Sequence, residues 1–174
     1  MLSSPSGQVG EALIREARHH LLEVSWPRLQ KAVATLDPGH LWRRANENTN
    51  SVGNLLLHLT GNLRQWVVSG LGGAKDERIR SREFSERGPL PGSVVMARLE
   101  KTLHEAAAVL DGLDPEHLLV KWRIQGEDVT GLQALVHVVE HFSYHVGQIA
   151  HIVKSSENVD LGYYEGRDLD QRNA

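Results

Sequence analysis

Apolar residues recur at helical spacing in four stretches, separated by turn-forming and polar segments. Val9, Leu13, Ala17, Leu21, Val24, Leu29, Val33 and Leu36 mark the first, over residues 8–36. Positions three and four apart share one face of a helix, so this spacing predicts an amphipathic helix. Pro27 falls inside the pattern and either kinks the helix or starts a second segment after Ser25. Pro38 and Gly39 then break it. Residues 43–50 are polar loop, and Asn50 or Ser51 can cap a second helix over 51–70, anchored by Val52, Leu55, Leu56, Leu59, Leu63, Trp66 and Val67. Gly70, Gly72 and Gly73 end it. Residues 74–90 are charged and long enough to form a lid or a disordered excursion.

Ser93 can cap a third helix over 93–111, with Val94, Ala97, Leu99, Leu103, Ala106 and Leu110 as its anchors. Residues 120–128 read as a short extended pair around Gly126, and Thr130 can cap a fourth helix over 130–154. The Ser-, Pro- and Gly-rich residues 1–7 are expected to fray. One domain over 8–155 is expected, followed by a polar tail over 156–174 that Tyr163 and Tyr164 could pin to the body.

Two halves echo each other. Leu36-Asp37-Pro38-Gly39-His40-Leu41 matches Leu113-Asp114-Pro115-Glu116-His117-Leu118, and each copy lies between two helices. Ser51 and His58 stand seven apart, as do Thr130 and His137. The simplest arrangement is an all-α fold in which two helical hairpins pack as a four-helix bundle.

Composition narrows the functions open to such a chain. Its 174 residues suit one domain, and 40% hydrophobic content is enough for a core. A net charge of −3 gives no electrostatic case for a nucleic-acid partner. No apolar run approaches a membrane span and the first residues do not read as a signal peptide, so a cytoplasmic location is the default expectation. The absence of cysteine excludes disulfides, thiolate metal sites and cysteine nucleophiles. Any metal must be held by imidazole and oxygen, and the chain is rich in histidine, with 10.

The fourth helix concentrates them. His141 and His145 are four apart, one turn apart on one face, a common way to chelate a transition metal. A third ligand must come from elsewhere, and His58, within Leu55-Leu56-Leu57-His58-Leu59, is the natural candidate. A lone histidine in a leucine run is more often a hydrogen-bonded core residue. Several imidazoles on two apolar helices would be costly to bury without partners, however, and a metal satisfies them together.

The run Asn54-Leu55-Leu56-Leu57-His58-Leu59-Thr60-Gly61-Asn62, with Val138-Val139-Glu140-His141-Phe142-Ser143-Tyr144-His145-Val146-Gly147-Gln148-Ile149, resembles the DinB/YfiT-like superfamily of metal-dependent enzymes. The resemblance spans roughly residues 10–155. It implies up-down-down-up helices, with 74–90 in a long crossover between helices two and three. It also implies a divalent ion held by His58, His141 and His145; all-imidazole ligation suits zinc, nickel, copper and iron alike, and zinc or nickel is the expected ion. His137 aligns with a frequent extra histidine and reads as a supporting or structural residue.

Around the triad, Asn62 either lines a pocket or faces the core, and Trp66 is the better core residue. Glu140 either orients a ligand histidine or makes a surface ion pair. Gln148 can hydrogen bond near His145, or across to another helix. Tyr144 is a proton donor or a packing residue. No general base is marked, so the catalytic residues stay unassigned. Three protein ligands leave open positions, the pattern of a catalytic site. The resemblance implies a small-molecule substrate, with a low-molecular-weight thiol as cosubstrate or a hydrolase-like reaction; the alternative is a non-catalytic metal-binding or stress-response protein. Bundles of this kind often pair as homodimers. Substrate choice falls to residues 72–92 and 120–128, which carry no decodable motif.

Overall fold

The computed structural model describes residues 5–172, and the chain is mostly helical with one small two-stranded sheet. Of the stretch expected to fray, residues 1–4 lie outside the described residues, while Pro5 opens helix α1, Pro5–His19. The helix does not stop at Pro27. It widens into a π-helical stretch at His20–Ser25 and resumes as α2, Trp26–Thr35, with Pro27 in its first turn. A proline lacks the donor for an i→i−4 bond and its ring crowds the preceding carbonyls. A looser π turn just upstream accommodates both.

Asp37 opens a short 3₁₀ turn, Pro38–His40, by accepting from the Gly39 N–H at 2.7 Å. Helix α3, Val52–Leu63, starts at a capping box. The Asn54 N–H donates to Ser51 Oγ at 3.1 Å, and the Ser51 N–H donates to Asn54 Oδ1 at 3.2 Å. The helix continues as π-helical turns through Leu71. The charged connection that follows carries the short α4, Arg80–Ser85, and is anchored to the body rather than a disordered excursion, since Glu83 is buried. Helix α5, Gly92–Asp111, is preceded by Pro91 at its N-cap, so Ser93 sits inside the first turn and does not cap it.

A second 3₁₀ turn, Pro115–Leu119, repeats the first, with Asp114 accepting from the Glu116 N–H. The extended pair is a hairpin, β1 (Lys121–Ile124) antiparallel to β2 (Glu127–Thr130). Its two-residue turn, Gln125-Gly126, has positive φ at both positions, 52° and 84°, as a hairpin matched to strand twist requires. Thr130 then caps α6, Gly131–Glu157, through a second capping box with Gln133.

α3 packs against α5 and α6, and α2 packs along α6. Leu29, Leu56, Leu59, Leu99, Leu103, Leu135, Phe142 and Ile149 form the centre of the core. The body runs past residue 155. α6 ends at Asn158 in a left-handed conformation, Leu161 is 2% exposed, and the Tyr163 hydroxyl donates to the Arg28 carbonyl at 2.9 Å. The Arg28 guanidinium lies over both tyrosine rings, 5.6 Å from the centre of Tyr163 and 5.3 Å from that of Tyr164. Among the described residues, no helix is long and apolar enough to cross a membrane.

Candidate metal centre

The middle of α3 and the middle of α6 each carry an apolar stripe interrupted by imidazole. Where the helices meet, His58, His141 and His145 converge, and one ligand atom from each lies within 4.8 Å of the others. Three imidazoles so placed could hold a metal ion. His58 Nε2 and His141 Nε2 are 3.0 Å apart. That is close to the separation of two nitrogens sharing one ion at roughly 2.0–2.1 Å. His58 and His145 are 5% and 9% exposed, and His141 is half-buried at the edge.

The protonation chemistry suits a cation. A metal ligand must present a lone pair, so each ring should be neutral with its other nitrogen engaged. Burial, followed by the neighbouring His145, His58 and His137 rings and Arg78, brings the His141 pKa down to about 3. Burial also lowers His145, against the opposing hydrogen bond from Gln148. His145 Nδ1–H donates to Gln148 Oε1 at 2.7 Å, which leaves Nε2 as the lone-pair nitrogen. His58 Nδ1–H donates to Glu83 Oε2 at 2.8 Å, with the same result. His141 Nδ1 is buried with no hydrogen-bond partner, so this ring has no such hold on its tautomer.

Glu83 is the residue that sequence reasoning missed. It comes from α4, inside the segment read as lid or excursion, and reaches the back of His58. Its carboxylate also takes two hydrogen bonds from Arg78, Nε to Oε1 at 2.7 Å and NH2 to Oε2 at 2.9 Å. Burial pushes the Glu83 pKa up, but Arg78 and His58 outweigh it and the carboxyl is held below its ordinary value. Arg78 NH1 donates in turn to Gln65 Oε1, and Gln65 Nε2 donates to Asp76.

Gly61, one turn after His58, gives the pair its room: a Cβ there would lie 2.0 Å from Glu83 Oε1 and 2.8 Å from Arg78 Nε. Asn54 Nδ2 clamps the segment by donating to the carbonyls of Glu83 and Glu86, each at 2.9 Å. The one available signal was a pair: a glycine one turn past a histidine and an asparagine one turn before it, each making space or hydrogen bonds for something unseen.

The other candidates sort themselves by contact. His137 stands outside the triad: Trp66 stacks on its ring at 3.9 Å, and Asn62 Nδ2 donates to its Nε2 at 3.1 Å. Burial lowers its pKa, with Glu140 opposing. Trp66 also donates Nε1–H to Gln125 Oε1 in the hairpin turn. Tyr144 accepts from Gln148 Nε2 at 3.0 Å and is 62% exposed, so it is not a packing residue. Glu140 is exposed. With His137, His141 and Tyr144 it borders a cavity of about 300 Å³ that meets the triad at His141.

No curated protein and no solved structure matches the chain. A family model does match, over residues 8–163, a span that holds all three histidines together with Arg78 and Glu83. The chain therefore belongs to the family described as "Protein of unknown function (DUF1572)".

Proposed function

We propose that the chain is a divalent-metal protein of the DinB/YfiT-like kind, a four-helix bundle whose three-histidine centre acts on a small molecule. In this reading α1–α2, α3, α5 and α6 are the up-down-down-up helices and the segment carrying α4 is the crossover. One observation supports it above all. Three imidazoles from two separate helices share one point, with two Nε2 atoms 3.0 Å apart. Three histidines without a fourth protein ligand are the pattern of catalytic zinc rather than structural zinc.

His58, His141 and His145 would hold the ion, zinc or nickel, which would supply Lewis acidity toward an oxygen or sulfur atom of the substrate. The remaining work falls to the chain's own residues. Glu83 fixes the tautomer and angle of the His58 ring, and Gln148 does the same for His145. Tyr144 uses its hydroxyl oxygen to accept from Gln148 and keeps its proton for a substrate atom at the opening. Glu140, on the same rim, is the nearest exposed carboxylate able to take a proton. We assign the site a small-molecule substrate, with a low-molecular-weight thiol as cosubstrate or a hydrolase-like reaction; a chain without cysteine is compatible with a thiol that arrives as cosubstrate.

A second reading, a non-catalytic metal-binding or stress-response protein, draws on a different observation. His58 is already satisfied by the buried Glu83–Arg78 pair, so the network is complete on that side without turnover. Elemental analysis of untagged protein, and calorimetric titration of chelator-stripped protein with zinc, test the centre itself. One ion per chain is expected, lost in His58→Ala and in His145→Ala. Unchanged affinity in both variants would remove the triad. Thiol consumption with a panel of electrophiles, absent in His58→Ala, then separates the catalytic reading from the second one.

A further inference from the structure

A larger cavity, of about 980 Å³, lies on the other side of Tyr144, between the 40–50 loop and the C-terminal half of α6. Its wall includes Arg43, His40 and His151 and no carboxylate, in a chain that carries an acidic excess overall. Glu157 stands behind His40 and accepts from its Nδ1–H at 2.8 Å, outside the cavity wall. Arg43, an exposed residue of this wall, makes one side-chain hydrogen bond, NH1 to His40 Nε2 at a long 3.4 Å, so nearly all its guanidinium donors are open to a ligand. Leu55, Ile152 and Gly147 supply apolar surface on the same wall. An arginine at the rim of an apolar wall suits a ligand with an apolar body and an anionic head.

The cavity also reaches the triad through one residue. Gln148 lines it, and the same side-chain amide accepts from His145 Nδ1–H and donates to the Tyr144 hydroxyl. Tyr144 borders both this cavity and the small opening beside His141. A molecule seated here lies against the group that holds His145.

We propose that this cavity binds a small organic carboxylate, its head on Arg43 and its apolar part against Leu55 and Ile152, and that this is the substrate class presented to the histidine centre. The assignment to substrate rests on the catalytic reading above; the binding site itself does not.

Gly147 offers a direct test. Gly147 lines the cavity and a Cβ there meets nothing within 4 Å, so a side chain can be added at this wall without a clash at its Cβ. Binding of phenylacetate, benzoate and hexanoate, each with its uncharged amide as control, is followed by protein-observed NMR titration. At least one carboxylate should bind saturably and about tenfold or more tighter than its amide, the ratio expected of a charge-assisted pair. Arg43→Gln should remove that preference, and Gly147→Phe should abolish binding with metal content unchanged. His58→Ala should leave binding in place. Equal binding of acid and amide, no saturable binding of any of the three acids, or binding that survives Gly147→Phe would each overturn the proposal. If His58→Ala holds as much metal as the parent while carboxylate binding behaves as stated, the metal reading fails and the anion site stands.

Discussion

His58 and His137 occupy equivalent places in the two halves, each seven residues after the capping residue of its helix, yet only one joins the triad. The entries to the two helices are built alike. An Asp-Pro 3₁₀ turn leads to a connector, and a Ser or Thr capping box starts the helix. What differs is the neighbour each imidazole meets. His58 finds a carboxylate brought in by the α3–α5 connection, which orients it by one nitrogen and leaves the other pointing at α6. His137 finds Asn62 on its Nε2 and the Trp66 ring across its face, so its outward nitrogen is already engaged. Equivalent backbone positions thus become a member of the triad and a buttress through side chains that lie far off in sequence.

The strongest way to break this comparison is to remove each imidazole in turn. His58→Ala should lower zinc affinity by more than the roughly 10–100-fold that loss of an outer-shell partner costs. His137→Ala should keep one zinc per chain in the same calorimetric titration. Equal losses would mean that His137 is a ligand and that the division between the halves is not real.

Next comes the carboxylate that distinguishes them. Glu83→Ala strands the Arg78 guanidinium, whose side chain is 5% exposed, and leaves His58 Nδ1–H without an acceptor. Breaking a buried pair in this way costs about 3–5 kcal/mol. In a chain of this size the melting temperature should fall by roughly 2–4 °C for each kcal/mol. Zinc affinity should fall as well, by roughly 10–100-fold. Gly61→Ala should reproduce both effects, because its Cβ would collide with the Glu83 carboxylate. A stable Gly61→Ala protein with parental zinc affinity would show that the pair does not position His58.

How much of this was legible beforehand follows from the range of the interactions. The long helices, the hairpin around Gly126 and the two Asp-Pro turns are local, set by apolar spacing and by groups within four residues of one another. They could be read from the chain, whereas the short α4 was not read. The capping by Ser51 and Thr130 was legible for the same reason, and Ser93 failed because Pro91 starts the helix two residues earlier. The histidine triad was readable as a spacing on α6 plus an anomaly on α3. Glu83 and Arg78 were not, since nothing in KDERIRSREFSERGPL marks one of its many charges as buried. Their burial depends on the space left by Gly61 and the clamp from Asn54, both twenty or more residues away from Glu83. The docking of Leu161 and Tyr163 was equally long-range, which is why the body extends further than the periodic pattern suggested.

The two capping boxes separate the halves by a smaller margin. Ser51→Ala removes the Oγ that accepts from Asn54 N–H and donates to Asn54 Oδ1 at 2.7 Å, one of the bonds that hold the side chain clamping the α4 segment. Thr130→Ala removes a similar bond at a more exposed site, with no second role for Gln133. Caps of this type contribute about 0.5–2 kcal/mol, so Ser51→Ala should fall at the upper end and Thr130→Ala at the lower. Urea denaturation of both variants measures the difference. Equal losses would mean that Asn54 holds the segment without help from its cap.

The smallest effect is expected where the halves are most alike. Asp37 and Asp114 each accept from the N–H two residues on, at 2.7 and 2.9 Å, in front of a proline that has no N–H to satisfy. Both are exposed, so solvent replaces much of what the carboxylate provides. Asp37→Ala and Asp114→Ala should therefore each cost about 0.5–1 kcal/mol, near the low end for a capping group, and should agree within the error of denaturant extrapolation. Neither should move zinc affinity, since no hydrogen bond links either turn to the triad. A markedly larger loss in Asp37→Ala would instead report on the adjoining His40–Glu157 contact at the wall of the anion cavity, and would place the divergence between the halves ahead of the helices.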